Sequence, residues 1–118
     1  MGHGPSWWAE ISADVTEEQK AGYPTGPVVP GGSIDRLLTH YPNLHADLSA
    51  GSGMNAFKRD PAYAREFILK HRAKLMFGTD RFVREEYPEM IDILRGMSLP
   101  PEVDHAVFRG NAEKLLGI

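Results

Sequence analysis

Apolar and polar positions along this chain follow two periods, interrupted by proline and glycine. After Ser33, residues Ile34, Leu37, Leu38 and Tyr41 recur at helical spacing, which predicts a helix capped by Ser33 and ended by Pro42. From Leu44 to Ser49 the period becomes two. Leu44, Ala46 and Leu48 share one face and His45, Asp47 and Ser49 the other, as in a strand. Gly51-Ser52-Gly53 then predicts a turn. Asp60-Pro61 marks a helix start that runs to about Arg72, with Tyr63, Phe67, Ile68 and His71 near one face. Leu75-Met76-Phe77 is continuously apolar, the pattern of a strand buried on both faces. Pro88 opens a helix through Leu94, and Pro100-Pro101 opens another with Val103, Ala106 and Val107 inward. Gly110 closes that helix, and Asn111 caps a last one carrying Leu115 and Leu116.

The first third of the chain follows neither period. Met1-Gly2 leaves too few residues ahead of His3 for a strand, so a strand at this place would lie mostly outside the sequence. Residues 13–32 hold Gly22, Pro24, Gly26, Pro27, Pro30, Gly31 and Gly32, which predicts a long ordered loop. Strands alternating with helices imply an α/β fold with parallel pairing. One crossover unit leaves two sheet edges open, and a closed eight-stranded barrel needs ~250 residues. The expectation is therefore either part of a larger barrel or a small sheet that borrows strands from a partner.

Composition narrows the function classes. A length of 118 residues suits one domain, residues 1–118. The net charge is −3 and no Lys/Arg stripe occurs, so neither nucleic-acid binding nor polybasic membrane docking is expected. No apolar run approaches the ~20 residues of a membrane span, and nothing resembles a signal peptide, so a cytoplasmic protein is expected. There is no cysteine, which removes thiolate metal sites and disulfides.

Chemistry in parallel α/β folds gathers at the carboxyl ends of strands. One such end is Ser49 to Gly53, and the other is Gly78-Thr79-Asp80-Arg81. Asp80 could ligate a metal or act as a general base, or instead cap the next turn or pair with Arg81 or Arg84. His3 could bind metal or polarise a substrate, or be an exposed bystander. His45 and Asp47 could point into a barrel, fill its floor or bond to each other. His40, His71 and His105 fall on helices or near their ends and are assigned to surface or capping roles. Trp7, Ser52 and Arg81 are the candidate substrate-binding residues. Trp7 suits either a pocket wall or loop packing, and Ser52 either anion contact or a tight turn.

Five segments in order resemble one family. They are His3 to Ser12 (HGPSWWAEIS), Tyr41 to Leu44 (YPNL), Ala46 to Gly53 (ADLSAGSG), Leu75 to Asp80 (LMFGTD) and Gly110 to Gly117 (GNAEKLLG). Together they resemble the amidohydrolase-related family, in the branch that includes aminocarboxymuconate semialdehyde decarboxylase and aromatic-acid decarboxylases. The resemblance implies a partial (β/α)8 barrel, roughly its last three strand–helix units, and a divalent metal, most often zinc. It makes Asp80 the aspartate ending the eighth strand, a metal ligand and proton carrier. It makes His3 the histidine ending the sixth strand, which binds metal or polarises the substrate. The family's His-x-His pair and its fifth-strand histidine have no counterpart among histidines 3, 40, 45, 71 and 105. A catalytic zinc normally takes three protein ligands, so the site within this chain is incomplete. Two readings follow. One is a piece of a hydrolase or non-oxidative decarboxylase acting on a small molecule, with the N-terminal part of the barrel supplied separately. The other is a non-catalytic remnant that self-associates as a homo-oligomer through its open edges.

Overall fold

The computed structural model describes residues 1–84 and 87–118. Helix α1 (Pro5–Ala9) is followed by a long loop with one 3-10 turn at Gln19–Ala21, then α2 (Ser33–His40), strand β1 (Ala46–Asp47), α3 (Ala50–Lys58) and α4 (Pro61–Lys70). Strand β2 (Leu75–Met76) leads to α5 (Met90–Gly96), α6 (Pro101–His105), a π-helical segment at Ala106–Gly110, and α7 (Asn111–Leu116). The result is a mixed α/β arrangement with few, short strands, compatible with part of a barrel.

Strands β1 and β2 pair in parallel, with Ala46 opposite Leu75 and Asp47 opposite Met76. Gly2 adds a parallel bridge to Ala46 on the other side: its N–H donates to His45 O at 2.7 Å, and its carbonyl accepts from Asp47 N at 3.2 Å. The two residues that looked too few for a strand thus still occupy a strand position. Glycine is required there, because a Cβ on Gly2 would fall 2.1 Å from Trp7 Cε2. Both strands are shorter than their apolar patterns, but burial agrees with them. Ala46, Leu48 and Leu75 are fully buried, and Met76 is buried on the opposite face of β2.

The core lies between this sheet and the helices on it. Trp8, Phe57 and Phe67 meet edge-on at its centre, with ring centroids 5.1, 6.4 and 6.0 Å apart. Such edge-to-face pairs add about 0.5–1.5 kcal/mol each beyond the area they bury. Ile34 and Leu38 of α2 and Ile68 of α4 join the same cluster. The loop at 13–32 is ordered by side chains rather than by secondary structure. Asp60 accepts from Val28 N at 3.0 Å, and Arg59 donates to the carbonyls of Thr25, Gly26 and Pro27.

Asp60 also accepts from Tyr63 N at 3.1 Å, the N-cap that the Asp-Pro pair predicts. Other caps differ. Ser33 lies inside α2, where its hydroxyl donates to Glu10 Oε2 at 2.7 Å and fastens the helix to the loop after α1. Gly51-Ser52-Gly53 belongs to α3 instead of a turn. A Cβ on Gly53 would lie 2.8 Å from the Leu48 backbone, so this glycine lets α3 pack onto the end of β1. Gly110 and Asn111 keep helical dihedrals, and the chain passes from α6 to α7 without a break.

That continuous C-terminal segment covers the free edge of β2. Phe77 N donates to Val107 O at 2.8 Å, and Asn111 Nδ2 donates to Leu75 O at 2.8 Å and to Arg72 O at 2.6 Å. Asn111 is therefore a brace between helix and strand, not a cap. His71 is a second correction. It is only 4% exposed, and its Nε2 meets Asp35 Oδ1 at 2.6 Å, so it joins α4 to α2 from within the fold. No described helix is long and apolar enough to cross a membrane.

Candidate functional site

The carboxyl ends of the three parallel segments lie side by side, and each delivers one polar side chain. His3 follows the Gly2 bridge, Asp47 ends β1, and Asp80 follows β2 after Phe77-Gly78-Thr79. Nδ1 of His3 lies 3.0 and 3.1 Å from the two carboxylate oxygens of Asp47. Nε2 of the same ring lies 3.8 Å from Asp80 Oδ2. The imidazole is thus bracketed by two carboxylates, one on each nitrogen.

Asp47 is itself held in place. Its Oδ1 accepts from Ser49 N at 3.1 Å and from Ser49 Oγ, and Ser49 Oγ also lies 3.3 Å from His3 Nδ1. Trp8 Nε1 donates to the Asp47 carbonyl at 3.1 Å and ties the site to the aromatic core. The hydrogen bond that His3 donates to Asp47 raises the His3 pKa above its ordinary value. Partial burial opposes this, and the charges of Asp47 and Asp80, each a smaller effect, add to the rise. The cationic imidazole is therefore favoured, as expected for a ring between two carboxylates.

Backbone geometry sets where Asp80 sits. Its φ is +49°, in the left-handed region that costs an L-residue about 1–2 kcal/mol, although aspartate tolerates it better than most. Ala50, which turns the chain from β1 into α3, has φ +61°. Strain at both strand exits is consistent with local geometry being held by the surrounding fold. Asp80 is half exposed and borders a pocket of about 250 Å³ that also takes in Gly51, Met54, Arg81, Tyr87 and Met90.

The residues singled out in the sequence separate here. His3 and Asp80 come together. Arg81 lines the same pocket as Asp80, whereas Trp7 and Ser52 do not. Trp7 covers Gly2, and its Nε1 is buried without a hydrogen-bond partner among the described residues. Ser52 is buried inside α3, and its Oγ is likewise unpartnered. His45 donates no side-chain hydrogen bond to the cluster among the described residues. Its main-chain carbonyl instead holds Gly2. Sequence reasoning weighed Asp47 only as pointing into a barrel, filling its floor or bonding to His45, and it gave the Ser49 side chain no role in the site. Their alternation with His45 was visible, but only the neighbouring strand shows that they face His3.

A divalent ion can be tested against this donor set. Two ligand atoms on a tetrahedral zinc with bonds of about 2.0–2.1 Å stand about 3.4 Å apart, close to the 3.8 Å between His3 Nε2 and Asp80 Oδ2. These two groups suit adjacent positions on one ion. A third is lacking, since no group of three or more His, Cys, Asp or Glu converges on one point among the described residues. Asp47 is already engaged with the opposite ring nitrogen. The described residues therefore supply two of the three protein ligands that a catalytic zinc normally takes.

Comparison with known proteins gives one match. A family model described as amidohydrolase matches residues 31–118, a span that includes Asp47 and Asp80 and begins after His3. Neither the curated proteins nor the solved structures give a significant match.

Proposed function

Because this chain belongs to the amidohydrolase family, we propose that it forms the last three strand–helix units of a (β/α)8 barrel and contributes His3 and Asp80 to a hydrolytic site at the barrel's carboxyl face. The single observation that carries this reading is His3 Nε2 facing Asp80 Oδ2 at 3.8 Å, beside a pocket, at the carboxyl ends of parallel strands. Family members are generally metal-dependent. A zinc ion held by this pair and by donors from outside residues 1–118 would supply an activated water. In this chain Asp80 takes up and returns the proton, and His3 offers its Nε2 to the ion. Arg81, at the same pocket, orients an anionic part of a small-molecule substrate. Non-oxidative decarboxylation is the alternative reaction class on the same parts.

Zinc titration of the purified chain, read by calorimetry, tests this reading. Weak binding at no more than one ion per chain, abolished in Asp80→Asn and in His3→Ala, is the expected result. Zinc affinity unchanged by either substitution would overturn it. The incomplete donor set also favours a second reading, a non-catalytic module that self-associates. A zinc-indifferent chain that sediments as a dimer would support that one instead.

A further inference from the structure

We infer that Asp47 is a positioning residue that fixes the His3 imidazole with its proton on Nδ1, so that the Nε2 lone pair faces Asp80. This inference rests on the reading of His3 and Asp80 as the working pair.

Three geometric facts support it. Both Asp47 oxygens lie within hydrogen-bond range of Nδ1, at 3.0 and 3.1 Å, whereas Asp80 Oδ2 stands 3.8 Å from Nε2. A carboxylate only accepts, so the neutral ring must place its proton on the nitrogen that faces it. The carboxylate itself has little freedom: Ser49 N and Oγ hold Oδ1, β1 pairing fixes the backbone, and Trp8 Nε1 holds the Asp47 carbonyl. Ring orientation at His3 is therefore set from β1, the strand next to its own.

The consequence is chemical. An imidazole with Nδ1–H presents Nε2 as a donor pair that can bind a cation or accept a proton at Asp80. The opposite tautomer would present an N–H there and could do neither. Carboxylates behind a ligating histidine act in this way, and losing one typically costs 10–100-fold in metal affinity. Without Asp47 the ring would be free to rotate and to adopt the Nε2–H form that unconstrained imidazole prefers.

The test is the ¹⁵N spectrum of histidine-labelled protein, with the pH raised until the His3 ring signals stop changing so that the neutral ring is read. Long-range couplings assign the proton to one nitrogen without any ligand or turnover. The wild-type chain is expected to show Nδ1–H at His3. Asp47→Ala is expected to move the proton predominantly to Nε2, and Asp47→Asn, which keeps an oxygen at the same place, is expected to retain Nδ1–H. Asp80→Asn should leave the tautomer as it is in the wild type. Nε2–H in the wild-type chain would overturn the inference, and that measurement needs no variant to fold. Retention of Nδ1–H in a folded Asp47→Ala chain would also overturn it. If zinc fails to bind while the tautomer follows Asp47, the hydrolase reading falls and the positioning role stands.

Discussion

His71 Nε2 lies 2.6 Å from Asp35 Oδ1, and this contact joins the end of α4 to α2. Lys70 Nζ reaches the other Asp35 oxygen at 2.9 Å. Burial lowers the His71 pKa below its ordinary value, only partly offset by Asp35. Burial alone would push Asp35 upward, but the hydrogen bonds from His71 and Lys70 outweigh it and hold the carboxyl below its usual range. The pair is thus a neutral imidazole donating to a carboxylate.

The linkage has one sign for both groups. The folded state binds fewer protons than the unfolded state wherever either titrates, so stability rises with pH in those windows. The His71 contribution is complete above its unfolded value of 6.5 and fades as pH falls through its depressed folded value. The Asp35 contribution is complete above 3.8 and fades below it. Thermal unfolding is expected to show a falling Tm from about pH 7 to pH 5. His71→Ala should cost about 2–3 kcal/mol at neutral pH and flatten that part of the profile. An unchanged slope in the variant would dissociate His71 from the acid sensitivity.

Asp80 should show a trade between stability and chemistry. Replacing it by glycine relieves the left-handed backbone at φ +49° and is expected to stabilise the fold by up to about 1 kcal/mol. The same change removes the carboxylate facing His3, so zinc binding should disappear. Denaturant unfolding and calorimetry on one preparation read both effects.

Asn111→Ala removes the donor to both Arg72 O and Leu75 O. A loss of about 1–3 kcal/mol is expected, because the freed Leu75 carbonyl lies at a part-buried strand edge. Hydrogen exchange at the Phe77 amide, which is bonded to Val107 O, should speed up in the same variant. Unaltered protection there would show that the brace and the edge bond are independent.

Gly53→Ala should destabilise although alanine is the better helix former. The gain in propensity is about 1 kcal/mol, but the new Cβ would lie 2.8 Å from the Leu48 backbone. A net loss of about 1–3 kcal/mol in urea unfolding is expected. Gly51→Ala meets only the end of the Tyr23 side chain at 2.9 Å and should cost less.

Local signals carried much of this structure. Asp60-Pro61 announced its helix because the cap, the proline and the first turn are neighbours in sequence. The uninterrupted Leu75-Met76 run announced a strand buried on both faces. Asp80 stood out because an acid follows that run after only Gly78 and Thr79. What remained hidden depends on partners distant in sequence. Gly51 to Gly53 has the composition of a turn, and only the closeness of the Leu48 backbone explains Gly53 inside a helix. Ser33 looked like a cap until Glu10 took its hydroxyl. His71 showed helical periodicity with Phe67, but its burial depends on Asp35 in another helix. Asp47 was legible as a residue that could point into a barrel, but its contact with His3 was not, since strand alternation alone does not pair side chains 44 residues apart.

The C-terminal cover on β2 has a consequence during synthesis. Leu75 and Phe77 leave the ribosome well before Val107 and Asn111, the residues that take up their outward-facing polar groups. Until then the nascent chain presents a bare, adhesive ribbon to its surroundings, the kind of surface that holdase chaperones recognise. A polypeptide ending near Pro100 would keep that ribbon permanently and should collect in inclusion bodies, while the longer chain stays dispersed.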